Sequence, residues 1–399
     1  MKILFVSAVH PHGAEYGAQQ RVLNLCRQLS KIGKLSIALC CREGIDRDAI
    51  ERTRAEFEVA HVAQVQPHRL ATLSDRLRFE LDPTFLNTHF SAINERDRDA
   101  LLALTERHDV VWVHTLRTAN ECRIFDWPHS VIDIDDVPSR LHTTVARNES
   151  RFVRRCMDYR MAMIWRRRER LIAKRFSAAT VCSDDDRRYL GDLANVVTVP
   201  NGFAVPPAAP SHRPSKPPRL GFIGLLGWAP NADGIEWFVD EVWPLVKTDV
   251  PEARLRVVGA GSPRDYSKAG PDIDCLGYLA DPTAEIGSWS AMIVPVRMGG
   301  GTRVKIAQAF GLECPVVSTS LGAFGYDVTT GKEIMLADCA TDFAKACVVV
   351  IRDQAMAAAL ADDARKAYLA RWTWDAIGAS VREAVGLACL PDVRAGVDS

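Results

Sequence analysis

Three consecutive glycines, Gly299, Gly300 and Gly301, are followed at once by Thr302, Arg303 and Lys305 in the stretch AMIVPVRMGGGTRVKIAQAFGLECPVVS, residues 291–318. Residues of these types at this spacing suit the binding of an anion. Glycines let a backbone bend and approach a ligand with no Cβ in the way. A helix starting near Thr302 would aim its first unpaired amides at the loop, with Thr302 as N-cap. Arg303 and Lys305 oppose the helix dipole at that end, which makes sense when a negative group lies between them. The competing reading is a strand-to-helix turn whose glycines serve packing and whose cations are solvated. The Gly-x4-Gly-Lys-Ser/Thr and Gly-x-Gly-x-x-Gly spacings are both missing here, so the loop is neither a P-loop nor a dinucleotide fingerprint.

Two further places could carry chemistry. The apolar run Asp109–Val113 delivers His114 to a strand end, where a histidine is either structural or an acid–base group. The run 131–134 is followed by acids, giving Asp133, Asp135 and Asp136. Such a cluster can hold a divalent metal on phosphates, or it can order polar contacts in a loop. The first of these is the weaker, because the glycine loop already offers phosphates a home.

These residues need a scaffold, and the hydrophobic periodicity supplies one. MKILFVS reads as a buried strand, Val22, Leu25, Cys26, Leu29 and Ile32 recur at helical spacing, and 35–41 reads as a second strand. This is a β-α-β unit, the mark of an α/β fold with a parallel sheet. Gly13 and Gly17 fall in its first strand-to-helix loop, at the carboxyl edge where such sheets bind ligands. Residues 42–108 are charge-rich and read as helical pieces with loops. Strands follow at 109–113, 131–134, 178–182 and 196–199. The proline-rich run 200–218 reads as a linker. A second α/β series starts at Arg219, with strands at 220–224, 255–259, 273–279, 291–296 and 315–318. The expected domains are 1–199 and 219–375, with a closing helical segment, 376–399, that can pack back on the first.

At 399 residues two cores are expected. Fifty Lys+Arg balance fifty Asp+Glu, which argues against nucleic-acid binding. Eleven cysteines show no Cys-x-x-Cys pair, as suits reduced thiols in a cytoplasmic protein. No apolar run is long enough for a membrane span, and the start is too short for a signal peptide. Residues 151–175 are the exception to the charge balance. They hold ten Lys/Arg against two acids, Asp158 and Glu169, leaving 40 basic against 48 acidic residues elsewhere. Val153, Met157, Met161, Ile164 and Leu171 keep an approximate helical stripe there. The segment is therefore an amphipathic basic helix, either a solvated face or a contact for an anionic membrane surface or a lipid-linked acceptor.

Taken in order, MKILFVS, the 109–114 strand, SDDDRRYL, VPNG at 199–202, FIG at 222–224, LRVVG, GGGTRVK, PVVST and GKEIMLAD resemble the family-4 retaining GT-B glycosyltransferases. GGGTRVKI followed by PVV is similar, more narrowly, to sugar transferases of bacterial exopolysaccharide clusters. The resemblance spans nearly the whole chain except 42–108. It implies the GT-B fold, two Rossmann-like domains with the donor in the interdomain cleft. It also implies transfer of a sugar, with retention, from a UDP- or GDP-sugar to a glycan or lipid-linked acceptor. That reaction needs no cofactor and no metal, and it would take place in the cytoplasm or peripherally on the inner face of the membrane. By the resemblance, Gly17 faces the distal phosphate and His114 lies beside the transferred sugar. Arg303 and Lys305 hold the diphosphate, assisted by the glycines and Thr302, while Gly277 and Tyr278 border the nucleobase. The family commonly carries two glutamates eight residues apart around this loop. Here those positions fall on Gly300 and Gln308, and Gln308 can offer a ribose only a neutral hydrogen bond. The usual Arg and Lys after the second domain's first strand are absent from LLGWAPNADG. A catalytically inactive nucleotide-sugar binder and a GT-B-fold epimerase are the competing functions.

Overall fold

The structure is a computed structural model and describes residues 1–12, 17–42, 47–70, 72–191, 195–206, 212–262 and 264–390. The chain forms two compact units, Met1–Pro200 with the chain from Ile377 on, and Asn201–Ala376. The glycine-containing loop at Gly13 lies outside the described residues.

The first unit is built on eight strands: β1 (Lys2–Ser7), β2 (Lys34–Cys41), β3 (Glu58–Pro67), β4 (Ser91–Ile93), β5 (Val110–His114), β6 (Ser130–Ile134), β7 (Ala178–Val181) and β8 (Val196–Thr198). They lie in the order β4-β3-β2-β1-β5-β6-β7-β8, parallel throughout except the β3–β4 pair. The central strands are continuous apolar runs because helices cover both faces of a parallel sheet. Every residue of β5 and β6 is buried. Burying a large side chain such as Trp112 or Phe5 stabilises by roughly 1.5–3 kcal/mol. The strand order reverses between β1 and β5, which is the ligand-binding position of an open α/β sheet. The helix Trp374–Ala388 enters this unit at Ile377, and Gly378 sits where a Cβ would come within 2.8 Å of Gln28 Oε1.

The 42–108 stretch is more ordered than its charge suggests. It holds β3 and β4 as well as the helices Arg47–Glu56, Leu73–Leu81 and Glu95–Thr105. The stretch SDDDRRYL forms the helix Asp184–Leu190, with Ser183 as N-cap accepting from the Asp186 amide at 3.0 Å and three acids in the first turn.

The second unit carries β9 (Arg219–Ile223), β10 (Arg254–Val258), β11 (Ile273–Gly277), β12 (Ala291–Val294), β13 (Val316–Ser318) and β14 (Met335–Leu336), all parallel, in the order β11-β10-β9-β12-β13-β14. Its reversal falls between β9 and β12, so the loops leaving these two strands face the switch point. One of them is the triple-glycine loop. Separate apolar clusters around Phe222, Phe238 and Phe343 and around Met292, Phe310 and Tyr368 fix the sheet. The described end of the proline-rich run is bound down, with the Arg213 and Ser215 amides donating to Gly287 and Ser288.

Candidate functional site

At the second switch point the glycine loop bends as its composition requires. Gly299 (φ +108°) and Gly301 (φ +69°) both occupy the left-handed half of backbone space. The helix begins later than expected, at Val304, and the N-cap position belongs to Arg303, with no side-chain cap. Thr302 is therefore not the cap. Its hydroxyl is buried and makes no hydrogen bond, so it is available to a ligand in the loop.

Arg303 is buried and folds back over the loop. Its guanidinium donates to the Gly300 and Gly301 carbonyls, stands 5.2 Å from the Trp228 ring, and lies 3.1 Å from where a Gly299 Cβ would sit. The Tyr326 hydroxyl donates to the Arg303 carbonyl at 2.9 Å. Two turns of chain are thus tied together by one planar cation. Lys305 donates to Asn231 Oδ1 at 3.0 Å and lies 4.2 Å from the Phe222 ring centre. Although the residue as a whole keeps some exposure, its ammonium is enclosed. Burial, and then the neighbouring charge of Arg303, push Lys305 down to about 7. Two like charges held together in a partly dry site favour an anionic guest. Gln308 is half-buried on the same face, three residues beyond Lys305.

The LLGWAPNADG loop supplies what the sequence reading missed. It provides no cation, but Trp228 stacks on Arg303 and buried Asn231 accepts from Lys305. Gly224 leaves room for both, since a Cβ there would meet Asn231 Nδ2 at 2.7 Å and Lys305 Nζ at 2.8 Å. The glycine itself was visible, while its partners lie more than five residues away along the chain. A run of backbone hydrogen bonds, from Gly224 to Val258 (3.0 Å) and from Gly259 to Gly277 (2.8 Å), carries the carboxyl edge outward from the switch point. It ends at Gly277 (φ +68°) and at Tyr278, whose ring is 58% exposed. The structure places these two on the same sheet edge as the glycine loop.

In the first unit His114 ends β5 at the switch point. It is 1% exposed, its Nδ1 is 3.3 Å from Ser7 Oγ at the end of β1, and its Nε2 is buried with no partner. Burial holds the ring below the usual histidine range; Asp133 and Asp135 pull upward and Arg21 pushes down. The next residue, Thr115, takes φ +70°, an uncommon conformation for a non-glycine residue. Gly17 is exposed and opens the helix Gly17–Ser30.

Asp133 is consumed by structure. Arg21 grips it with Nη2 at 2.6 Å and Nε at 3.0 Å, and Thr180 Oγ1 donates at 2.7 Å. Burial alone would raise Asp133, but Arg21 outweighs it and holds the carboxyl below its usual range. Asp135 accepts from Cys182 Sγ at 3.1 Å. Among the described residues no group of three or more His, Cys, Asp or Glu is arranged to hold a metal ion. Asp133 and Asp135 thus order polar contacts within the unit. Arg21 was not singled out from sequence, because one arginine in a helix gives no sign of a buried partner more than a hundred residues away.

The basic segment forms two helices, Phe152–Glu169 and Ile172–Arg175. Its apolar stripe divides. Ile164 is buried and Met161 and Leu171 are half-buried, whereas Val153 and Met157 are exposed, as are Phe152 and Met163 outside the stripe. Arg168 and Arg175 are buried on backbone carbonyls, Arg168 donating to Phe79 at 2.8 Å and Arg175 to Phe125 at 3.1 Å. They are structural, while Arg151, Arg154, Arg155, Arg167 and Arg170 are exposed. No described helix is long and apolar enough to cross a membrane.

Two parallel-sheet Rossmann-like units make this a GT-B architecture, as in solved glycosyltransferase structures. Residues 217–353 match the family model "Glycosyl transferases group 1". An uncharacterized 44.6 kDa protein in the cps region of Klebsiella pneumoniae is 27% identical over 134 residues, 31% of this chain and about a third (34%) of that protein. Sucrose-phosphate synthase from Thermosynechococcus elongatus superposes with TM-score 0.66 at 17% identity, covering 95% of this chain and 96% of that one. A TarM variant from S. aureus, in complex with fondaparinux, alpha-GlcNAc-glycerol and UDP, gives 0.69 at 11%, covering 97% and 99%. HepE from Anabaena, in complex with UDP-glucose, gives 0.63 at 15%, also covering 97% and 99%.

Proposed function

We propose that this protein is a retaining glycosyltransferase. It takes a sugar from a nucleoside-diphosphate donor, a UDP- or GDP-sugar, to a glycan or lipid-linked acceptor in surface-polysaccharide assembly. The observation that carries this reading is the triple-glycine loop at the β9–β12 switch point, with Arg303 and Lys305 crowded against each other at a helix start. In this reading the departing diphosphate brings negative charge to that loop. Fixed cations, loop amides and the Thr302 hydroxyl stabilise it without reorganising. The Gly277–Tyr278 edge takes the base, and Gln308 takes a ribose hydroxyl. Buried His114 stays neutral and offers Nε2 to the sugar or the acceptor hydroxyl, near Gly17. The complexes of HepE with UDP-glucose and of TarM with UDP support the donor class. The cps-region relative supports the polysaccharide context. Exposed Phe152, Val153 and Met157 among Arg151, Arg154 and Arg155 support peripheral contact with an anionic inner membrane face.

A thermal-shift panel of UDP, GDP, dTDP, CMP and ADP, with and without EDTA, tests this reading. A ligand that binds only the folded form raises the melting temperature. A shift with one diphosphate that survives EDTA is expected. No shift with any nucleotide would remove the donor site. Binding without turnover would favour the inactive nucleotide-sugar binder, for which Gln308 in place of a carboxylate is the supporting observation.

A further inference from the structure

The first unit holds a concavity of about 380 Å³ that the reading above does not use. Arg69, Arg78, Arg98 and Arg123 line it, with Asp75 as the opposing acid in the lining and Asn87 beside them. Arg78 and Arg98 share their charge with Asp82 (3.5 Å) and Asp99 (3.0 Å), whereas Arg69 and Arg123 make no ion pair among the described residues. Asn87 Oδ1 is buried without a hydrogen-bond donor. Excess cations therefore surround an acceptor that wants a hydroxyl. A phosphorylated saccharide satisfies both.

What lies next to the pocket narrows the ligand further. The helix Leu73–Leu81 gives Asp75 and Arg78 to it, and on its neighbouring face Leu73, Leu77 and Leu81 recur every four residues. They are 74%, 53% and 67% exposed, an apolar stripe that no described residue covers. Against the stripe a second concavity of about 450 Å³ is lined by Leu70, Leu77, Phe79 and Phe90 together with Arg76 and the ion pair of Glu80 with Arg160, which neutralises its own charge. One short helix thus separates an arginine pocket from a groove with four apolar lining residues, and Leu81 adjoins Arg78 at helical spacing.

We propose that the arginine pocket receives the phosphate or diphosphate of a lipid-linked saccharide, while the leucine face and groove take the first segment of its lipid. This deepens the transferase reading by naming the acceptor class, and as an acceptor site it rests on that reading.

Hydrogen–deuterium exchange with decyl diphosphate, inorganic pyrophosphate and decanol as probes tests the pocket without any donor turnover. Peptides covering 68–87 and 117–125 report on it separately from the donor loop at 298–311, so failure here and failure of the transferase reading are distinguishable. Decyl diphosphate should protect 68–87 and bind at least about tenfold more tightly there than pyrophosphate, from the buried methylenes. The double variant R69Q/R123Q should lose about tenfold or more of that affinity through its charged hydrogen bonds. The triple variant L73S/L77S/L81S should keep pyrophosphate binding and lose only the excess. Equal protection by pyrophosphate and decyl diphosphate would overturn the lipid assignment. So would protection by phosphatidylglycerol vesicles that R69Q/R123Q leaves unchanged, because that is contact with a bilayer surface. No protection of 68–87 by either phosphate would remove the site.

Discussion

Each unit reverses its strand order once, and the two switch points are furnished in opposite ways. Between β1 and β5 the charges are paired and dry. Arg21 and Asp133 neutralise each other beneath a neutral His114, whose free nitrogen is the unsatisfied group. Between β9 and β12 the charges are alike. Arg303 crowds Lys305, whose partner is the neutral amide of Asn231. The first site can orient a hydroxyl or pass a proton but has no surplus charge with which to grip a phosphate. On the proposed reading the second grips a phosphate with Arg303 and with Lys305, whose amine takes up a proton as the anion arrives. The transfer proposed above would use one of each.

The sharpest way to break this contrast is to remove the pairing in the first unit. Asp133→Ala leaves Arg21 buried without a counter-charge, and losing one member of such a pair costs about 3–5 kcal/mol. Denaturant unfolding should show that loss, while Asp135→Asn, at a half-exposed position, should cost far less. Equal, small effects would mean that the pair is not what holds the β1–β5 switch point. Next in size is His114→Ala. If Nε2 works on the sugar or acceptor, turnover should fall about a hundredfold, the low end for acid–base groups, with nucleotide affinity nearly unchanged. Full turnover would return His114 to a packing role beside Phe5 and Ser7.

The two sites were not equally legible in the sequence. Gly299–Lys305 announced itself because composition and spacing within seven residues specify the loop. His114 could be placed at a strand end, but its neutrality comes from burial, with Asp133 and Asp135 opposing and Arg21 adding to it, and these neighbours meet it only through the sheet. Asp133, Asp135 and Asp136 showed an acidic cluster without showing that Arg21 would consume one member. Trp228 and Asn231 were invisible for the same reason, since the loop carried no cation and its role is to seat cations from elsewhere. Strand β3 was missed because it is only partly buried, with the three-residue β4 beyond it, and its polar alternation, EVAHVAQVQP, resembles a charged loop. Glu313 shows the reverse case. Nothing in its side chain marks the position, yet the structure holds Glu313 at φ +57°, the conformation that glycine would adopt freely.

The second site should respond to charge where the first responds to pairing. Arg303→Ala removes the guanidinium that closes the loop and is expected to weaken nucleoside-diphosphate binding by more than about tenfold, the loss of a charged hydrogen bond. Titration calorimetry at fixed salt measures it. Unchanged affinity would mean that the guanidinium serves only the carbonyls of Gly300 and Gly301.

The smallest and most discriminating effect belongs to Lys305. Its folded-state value of about 7 lies below that of the free side chain, so above pH 7 the empty site holds mostly neutral amine. An arriving diphosphate favours the ammonium, so binding above pH 7 should take up a proton, and this contribution to affinity should weaken as pH rises from about 6 to 9. The phosphate's own last ionisation, near pH 6, works in the other direction, so the wild-type profile alone decides nothing. The comparison with Lys305→Gln does, because the phosphate term is common to both. The wild-type advantage over Lys305→Gln should be several-fold at pH 6 and shrink by pH 9, with proton uptake at pH 8 in the wild type alone, read as buffer-dependent binding enthalpies. Parallel profiles would show that Lys305 keeps its charge throughout. The crowding of like charges that distinguishes the second switch point from the first would then have no energetic consequence.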